Sequence, residues 1–211
     1  MGMVPQGILV PMNEIMLPNQ PRTGNIAVNE IYLDGKLKKA ELIDEDDKSY
    51  GIFMHSLILS NYAEVMKVSN SQVNITGDEV EKAIFNYTAS KGFDKKLIEN
   101  IAPKVDDLTF ECENPIHVTT HLINDKMRII SKGTPQELLR RCTYILSDSK
   151  FVKLTRRMLR EVNEVLQDML LRCMSVYAIA IKDLSEIQEV LATDRYVSDM
   201  TLVALVGIGK A

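Results

Sequence analysis

Two uninterrupted apolar segments near the carboxyl end constrain this fold more than any other feature of the sequence. They cover Ser175–Ile181 and Met200–Ile208, a length typical of buried strands and far short of the roughly 18–20 residues of a membrane span. Strands of this kind lie at the centre of a sheet. Near the amino end, Asn25–Leu33 alternates polar and apolar residues, and Asp34-Gly35 is a typical hairpin turn into Lys36–Leu42. The sequence therefore predicts a sheet that has an apolar centre and includes an early hairpin.

Apolar residues recur with helical spacing between these strands. The predicted helices are Tyr50–Val65, a segment from Thr76 to a stop at Gly92, Asp94–Ile101, a helix that starts at Thr134-Pro135, and Lys150–Leu171. Further strands are predicted at Leu108–Glu113, Val118–Asn124 and Met127–Ser131, the last two joined at Asn124-Asp125-Lys126. Because strands arrive as hairpins and are interrupted by pairs of helices, we predict an α+β domain with a mainly antiparallel β-sheet flanked by helix pairs.

One domain is expected to account for most of the 211 residues. Residues 1–22 contain four of the seven prolines and show no clear period, so we interpret them as an extended arm or an added segment. The domain itself is predicted to cover residues 23–208, with residues 209–211 as a tail. The formal charge of −4 argues against nucleic acid as the main partner, because proteins that bind it are usually basic.

Neither the cysteines nor the histidines indicate a metal site. Three scattered cysteines are too few for a disulfide framework, and we interpret them as reduced, partly buried thiols in a cytosolic protein. His117 and His121 lie four residues apart on one face of a predicted strand. A ligand pair there is possible in principle, but a solvated sheet face is the favoured interpretation, and no metal is expected.

A candidate anion site lies at Lys132-Gly133-Thr134-Pro135-Gln136, which is followed by Arg141-Cys142 and, further on, by Leu171-Arg172-Cys173. A lysine at the end of an apolar strand, next to a glycine and a helix start, places a cation where an anion can reach it. This signal is weak by itself, because many strands end in lysine and glycine before a helix. The motif becomes a specific signal because it occurs in a defined order with other segments of the chain.

From Thr23 to Ile208 the chain resembles the nucleotide-binding domain of P-type cation-transporting ATPases, in the branch of the calcium and sodium/potassium pumps. Five segments in order carry the resemblance: Thr23–Val28 with Ile31–Gly35, Gly77–Ile84, Lys132–Gln136 with Arg141-Cys142, Leu171–Met174 with Lys182–Leu184, and Asp199–Val203 with Val206–Ile208. The second is similar to the family's Gly-Asp-Pro-Thr-Glu-x-Ala-Leu, and the third to its Lys-Gly-Ala-Pro-Glu.

The resemblance implies a role for five residues in binding ATP. Glu81 would accept a hydrogen bond from the adenine amino group, Lys132 would place its ammonium against the nucleotide, and Gly133 would permit close approach of the backbone. Phe110 would stack on adenine, and Arg172 would contact the phosphates. Each of these residues also has a structural interpretation. Glu81 could be a surface glutamate at its own helix start, and Gly133 could belong to a strand-to-helix turn. Phe110 could be a core residue, and Arg172 could face solvent.

The segment after Phe110 departs from the family pattern Pro-Phe-Asp/Asn-Ser-x-x-Lys. The expected lysine is replaced by Pro115, and Glu111 and Glu113 add negative charge. Because these carboxylates would repel phosphates, we expect nucleotide binding weaker than the family norm, or an altered base preference.

The family's phosphorylated aspartate, in Asp-Lys-Thr-Gly-Thr, has no counterpart in Leu17–Arg22. We therefore predict no catalytic residue and no turnover by this chain, which would bind ATP or ADP (Mg-ATP in the parent protein). It would be a cytoplasmic-facing domain that presents the γ-phosphate to a phosphorylation domain, with phosphorylation and actuator domains as partners and no membrane insertion of its own. The alternative is a regulatory or protein-interaction domain that has lost its nucleotide. A free-standing enzyme is poorly supported, because the sequence shows no phosphate-cradling glycine loop.

Overall fold

The computed structural model describes residues 25–69, 72–110, 113–184 and 196–211. The predicted arm at residues 1–22 lies outside this part of the chain. The α-helices are α1 Tyr50–Leu59, α2 Glu79–Ser90, α3 Lys95–Ile101, α4 Pro135–Arg141 and α5 Arg156–Leu171. The strands are β1 Ile26–Leu33, β2 Lys36–Lys39, β3 Glu64–Ser69, β4 Gln72–Thr76, β5 Lys104–Phe110, β6 Ile116–Ile123, β7 Lys126–Gly133, β8 Cys142–Ser147, β9 Lys150–Lys153, β10 Ser175–Leu184 and β11 Met200–Lys210. Among these helices none is long and apolar enough to cross a membrane.

In the part of the chain that the structure describes, nine strands form the main sheet, and the two predicted apolar strands lie at its centre. The path runs β2-β1-β11-β10-β7-β6-β5, and β8, which carries β9, pairs with the beginning of β11. All pairings are antiparallel except that of β8 with β11. From Met200 to Gly209 every residue of β11 is buried. The predicted α+β class with a mainly antiparallel sheet is therefore confirmed.

Helices cover both faces of this sheet, and the sheet separates the hydrophobic core into two layers. Side chains such as Ile130 and Ile179 pack against α1 and α2. The neighbouring Ile129 and Ala178 point the other way and pack against α4 and α5, because successive side chains of a strand alternate between the two faces. We refer to these as the α1–α2 face and the α4–α5 face.

Two predicted hairpins are confirmed, and a third joins β8 to β9. Asp34 and Gly35 both have positive φ, as do Asn124 and Asp125. Asp148 and Ser149 share this conformation between β8 and β9. Two consecutive residues with positive φ match the right-handed twist of the strands that they connect.

Two predicted helices were too long. The helix predicted to reach Val65 ends at Leu59, where the Ser60 hydroxyl donates to the Ser56 carbonyl at 2.8 Å. The helix predicted from Lys150 begins at Arg156, because residues 150–153 pair with β8. Both segments have apolar residues at helical spacing. In the structure, however, residues 64–65 pair with β4 and residues 150–153 pair with β8, so they form strands. Strand β11 continues to Lys210, past the domain end predicted at residue 208.

Candidate functional site

Glu81 and Lys132, which are 51 residues apart in the chain, form an ion pair in the interior of the domain. Glu81 lies in the first turn of α2, and Lys132 lies near the end of β7 on the α1–α2 face. Each side chain is 1% exposed. The Lys132 ammonium also donates to the Ser60 carbonyl at 2.6 Å. Two of the five segments that carry the resemblance therefore meet at one buried point.

The second carboxylate oxygen of Glu81 is held by the chain that follows α1. It accepts from the Asn61 amide at 2.7 Å and from the Tyr62 backbone N–H at 2.9 Å. The same Asn61 amide reaches the Glu81 carbonyl at 2.9 Å, while Asp78 caps α2 by accepting from the Glu81 N–H at 2.8 Å. A buried charge is tolerated where it is paired and hydrogen-bonded in this way. We call Glu81, Lys132, Asn61 and Tyr62 the buried ion-pair cluster.

The Tyr62 ring covers the Lys132 ammonium, which lies 5.5 Å from the ring centroid. Lys104 lies at the same distance from that ring, and both contacts are within the range of cation–π attraction. The phenol hydroxyl donates to Asp107, to which Lys104 also donates at 2.6 Å. Burial and the neighbouring Asp107 charge raise the pKa of Tyr62.

His117, next to Lys132 across the β6–β7 pair, completes the surroundings of the Tyr62 ring. The two rings meet edge to face with centroids 5.7 Å apart. His117 is 4% exposed and His121 is 1% exposed, so the prediction of a solvated sheet face was wrong. Burial, and secondly the Lys132 charge, lower the pKa of His117 to about 4. The α1–α2 face is covered here by the chain after α1, which the sequence prediction had placed in a helix.

The second histidine of this strand, His121, is buried as well. Within the described residues, no group of three histidine, cysteine or acidic side chains is arranged to hold a metal ion. The pKa of His121 is also lowered, and burial is the largest cause. Its Nδ1 lies 3.0 Å from the Ala102 carbonyl oxygen.

Phe110 is on the opposite face of the sheet from Lys132. Thr109, its neighbour in β5, pairs with His117, whereas Phe110 pairs with Ile116 and packs against the α4–α5 core. The Arg141 guanidinium lies 4.7 Å from the Phe110 ring centroid. Because successive side chains alternate between the two faces, the predicted stacking residue Phe110 and the Lys132 ammonium lie on opposite sides of the sheet. Gly133 also belongs to this layer: a Cβ added there would meet Ile116 Cγ1 at 3.4 Å.

Arg172 is partly exposed and binds two carboxylates outside the buried ion-pair cluster. Its guanidinium donates to Glu30 and, at 2.7 Å, to Asp168. Lys132 faces Ile179 across the β7–β10 pair, and the strand from Ser175 to Ile179 alone spans about 13 Å at roughly 3.3 Å per residue. The structure thus brings Glu81 and Lys132 together, turns Gly133 toward the layer that contains Phe110, and places Arg172 elsewhere.

A cleft of about 730 Å³ opens beside the Tyr62 ring. It lies between α3, the chain after α1, and strands β5 and β6, and its lining includes Tyr62, Lys95, Lys104 and Thr119. Lys95 is anchored in its wall, where the ammonium donates to the Asn61 and Ala63 carbonyls at 2.6 and 2.8 Å. Sequence reasoning missed Asn61 and Tyr62, because their only signal was Ser60-Asn61 interrupting an otherwise apolar helical pattern.

The fold and the cluster together define a class of protein. An α+β domain in which the lysine before Gly-Thr-Pro meets Glu81, in the first turn of the helix that begins after Gly77-Asp78, has the organisation that the resemblance implies. The family described as P-type ATPase, cytoplasmic domain N, matches residues 50–209. The chain belongs to this family.

Curated relatives agree with this assignment. Calcium-transporting ATPase 1 of Bacillus cereus is 22% identical over 192 residues, which cover 89% of this chain and 21% of that protein. Calcium-transporting ATPase 10, plasma membrane-type, of Arabidopsis thaliana is 21% identical over 203 residues, with 89% and 19% covered. Cation-transporting ATPase pma1 of Synechocystis is 30% identical over 109 residues, with 51% and 12% covered. The chain thus spans about a fifth of the length of the first of these relatives.

Proposed function

We propose that this domain binds ATP for a P-type cation-transporting ATPase and presents the γ-phosphate to the phosphorylation domain of the parent pump. The observation that carries the proposal is the meeting of Glu81 and Lys132. Each residue belongs to a motif that resembles one of the family's nucleotide-site motifs. Segments 51 residues apart in the chain converge on one point, as a ligand site assembled from distant motifs requires.

Charged groups of both signs line the cleft beside Tyr62. Lys132 is neutralised by Glu81, and Lys104 is half exposed. The lining contains three lysines and three carboxylates, namely Lys95, Lys96, Lys104, Glu64, Asp94 and Glu99. Ammonium groups at a partly dry surface attract phosphates more strongly than they do in water. A volume of about 730 Å³ lies within the roughly 300–1,000 Å³ of small-molecule sites.

The remaining site residues keep the roles that the family resemblance gives them. In this proposal Arg172 contacts phosphates from the exposed end of α5, Gly133 shapes the strand end next to Lys132, and Phe110 is the family's stacking residue. The Asp168 and Glu30 carboxylates that now hold Arg172 would exchange for phosphate oxygens. Exchange of this kind is feasible for Asp168, because an exposed ion pair contributes little free energy.

Cation transport is proposed for the parent protein. Two of the relatives described above are named calcium-transporting ATPases, and calcium is the ion that we propose on that ground. In the parent pump magnesium would accompany the nucleotide and neutralise its phosphates.

An ATP titration of the isolated chain, followed by amide chemical shifts residue by residue, tests the proposal. We expect saturable shifts at the buried ion-pair cluster and at the cleft, similar shifts with ADP, and no release of phosphate. Saturable binding also raises the midpoint of thermal unfolding in proportion to the logarithm of ATP concentration.

The titration has a defined negative outcome. If millimolar ATP and ADP leave the spectrum and the unfolding midpoint unchanged, the domain does not bind nucleotide. That result would favour the alternative of a regulatory domain with the same fold. Inorganic tripolyphosphate serves as the matched control, because shifts that it reproduces fully report charge and not recognition of the base.

A further inference from the structure

Strand β9 forms an open edge of the main sheet and begins a segment rich in cations. Among the described residues, residues 150–153 pair only with β8. The segment from Lys150 to Arg160, which we call the basic segment, contains five basic residues and no acidic one, in a chain whose formal net charge is −4. A concentration of one charge beside an open strand edge indicates a surface for a partner of the opposite charge.

The charges of the basic segment are largely unneutralised. Arg157 pairs with Glu161 at 2.9 Å. The other four cations are exposed and make no ion pair with any described residue: Lys150, Lys153, Arg156 and Arg160. Arg156 and Arg157 also lie in the first turn of α5, which contains no acidic residue and where the helix dipole disfavours positive charge. The stability of the fold therefore does not account for this cluster.

The edge of β9 also offers backbone hydrogen-bonding groups. Hydrogen-bonded and non-hydrogen-bonded positions alternate along an antiparallel pair of strands. The Leu154 N–H donates to the Thr143 carbonyl at 2.9 Å, so the backbone groups of Leu154 face β8. Those of Lys153 and, two residues earlier, Phe151 are consequently directed away from β8. A row of outward N–H and C=O groups is the template on which another extended chain adds as a strand.

Two exposed aromatic side chains lie on one face of this edge. Tyr144 is 41% exposed and Phe151 is 44% exposed. Lys153 pairs with Tyr144 and is therefore on the same face. Lys150, the neighbour of Phe151, is on the other face because successive side chains of a strand alternate. A strand added to β9 would thus meet aromatic surface and a cation on one face, and a second cation on the other.

The lysines determine which kind of strand this edge accepts. Like charges opposite each other destabilise a pair of strands, so Lys150 and Lys153 oppose the pairing of β9 with the same strand of a second copy. A segment that carries carboxylates meets no such repulsion and gains ion pairs with the unneutralised cations. Charge complementarity therefore favours an acidic partner over a second copy of this chain.

We infer that β9 is a docking edge for an acidic, extended segment of a partner protein, which adds as a strand beside Phe151 and Lys153 and neutralises the basic segment. Main-chain hydrogen bonds fix the register of such a segment, and the side chains on the two faces select its residues. This interaction goes beyond the proposed function, because neither the binding of ATP nor the presentation of its γ-phosphate involves β9.

Calorimetric titration of the chain with a soluble peptide tests this inference. The probe is an end-blocked peptide of alternating glutamate and threonine, because threonine favours an extended backbone. The matched control peptide has glutamine in place of each glutamate. We expect saturable binding of the acidic peptide, and binding of the glutamine peptide that is weaker by roughly 3- to 100-fold. The difference between the peptides is expected to shrink as salt screens the exposed charges.

Two substitutions at Phe151 separate strand addition from simple attraction of charge. Phe151→Pro removes the outward N–H, whereas Phe151→Val keeps it, and neither changes the charge. Proline is tolerated on an edge strand, and amide spectra establish that each variant is folded. We expect Phe151→Pro to bind the acidic peptide roughly fivefold or more weakly than Phe151→Val does. A double variant, Lys150→Glu with Lys153→Glu, is expected to abolish binding.

Several results would overturn the inference. Equal affinity of Phe151→Pro and Phe151→Val for the peptide would mean that charge attracts it without strand addition. If Phe151→Pro does not fold, unchanged affinity in the lysine double variant is sufficient by itself. Self-association of the unaltered chain that Phe151→Pro abolishes would make a second copy the occupant. Vesicles with anionic lipid that bind more tightly than the peptide, and equally to both folded Phe151 variants, would make the basic segment a membrane-contact surface.

Discussion

Lys132 and Arg172, two cations that the sequence singled out, form ion pairs that differ in what surrounds them. Lys132 and Glu81 are each 1% exposed and share their hydrogen bonds with Ser60, Asn61 and Tyr62. Arg172 is 40% exposed, and its partner Asp168 is 62% exposed. Both are cation–carboxylate pairs, but only the Arg172–Asp168 pair is exposed enough for solvent to screen it.

Ion pairs between a basic residue and a carboxylate have different consequences according to burial. In the interior, each partner makes the other tolerable, so removing one leaves an uncompensated charge. At the surface, water replaces the missing partner at little cost. The cluster around Lys132 is thus a stability element as well as a candidate ligand site, whereas Arg172 is available to exchange partners.

The largest expected effect comes from making one substitution in both sites. Lys132→Met is expected to lower the free energy of unfolding by about 3–5 kcal/mol, because it strands the Glu81 carboxylate in the interior. Arg172→Met is expected to cost less, about 1–2 kcal/mol, because Asp168 is exposed to water although Glu30 is only 15% exposed. Urea unfolding at pH 7 measures both. Adding Glu81→Gln to Lys132→Met should recover much of the lost stability. Equal losses in Lys132→Met and Arg172→Met would contradict the expected effect of burial.

Acid should destabilise the interior site specifically. The pKa of His117 is lowered to about 4 in the folded chain, against about 6.5 when unfolded. The neutral histidine therefore contributes stability that is fully present above pH 6.5 and is lost as the pH falls toward 4, at most about 3 kcal/mol. The free energy of unfolding, measured from pH 7 to pH 4, should fall less in His117→Gln than in the unaltered chain. Parallel curves would show that His117 is not responsible.

The amide of Asn61 should matter more than an exposed amide with a similar bond. Asn61 is 6% exposed and donates to the buried Glu81 carboxylate, so Asn61→Ala is expected to cost about 1.5–3 kcal/mol. Asn163 donates to the Leu159 carbonyl at 2.9 Å on the exposed side of α5, and Asn163→Ala should change stability by less than about 0.5 kcal/mol. Thermal and urea unfolding compare them. A larger loss at Asn163 would reverse the order that burial predicts.

The smallest effect is expected from Asp168, the exposed partner of Arg172. Asp168→Asn should lower stability by about 0.3–0.5 kcal/mol at low salt, and the difference should vanish near 1 M NaCl, where the screening length is about 3 Å. The loss caused by Lys132→Met should persist in the same salt series. A salt-independent effect at Asp168 would mean that this pair is not screened as its exposure implies.

Segments with several agreeing local signals were predicted well. The capping aspartate and apolar stripe of α2, the proline at the start of α4, and the turns at Asp34 and Asn124 each specify their structure within a few residues. Predictions failed where local pattern and pairing disagreed. Residues 64–65 and 150–153 belong to strands and not to the helices predicted to include them, because a neighbouring strand satisfies their backbone groups.

The candidate site was predictable in part for the same reason. Glu81 and Lys132 were identified from motif order. Phe110 was assigned to the same pocket by counting along a strand, and one residue of strand register decides which face a side chain occupies. Tyr62 carried no motif, since its position depends on the exact end of α1.

The sequence by itself determined the α+β class, the apolar centre of the sheet and the motifs that identify the family, because these depend on local spacing and residue type. Tertiary structure alone decided that Lys132 and Glu81 are buried against each other, that Phe110 belongs to the opposite face, and that Tyr62 borders the cleft. These facts arise from packing between segments far apart in the chain. Burial sets the strength of the electrostatic interactions that a charged group makes, and no local sequence pattern specifies burial.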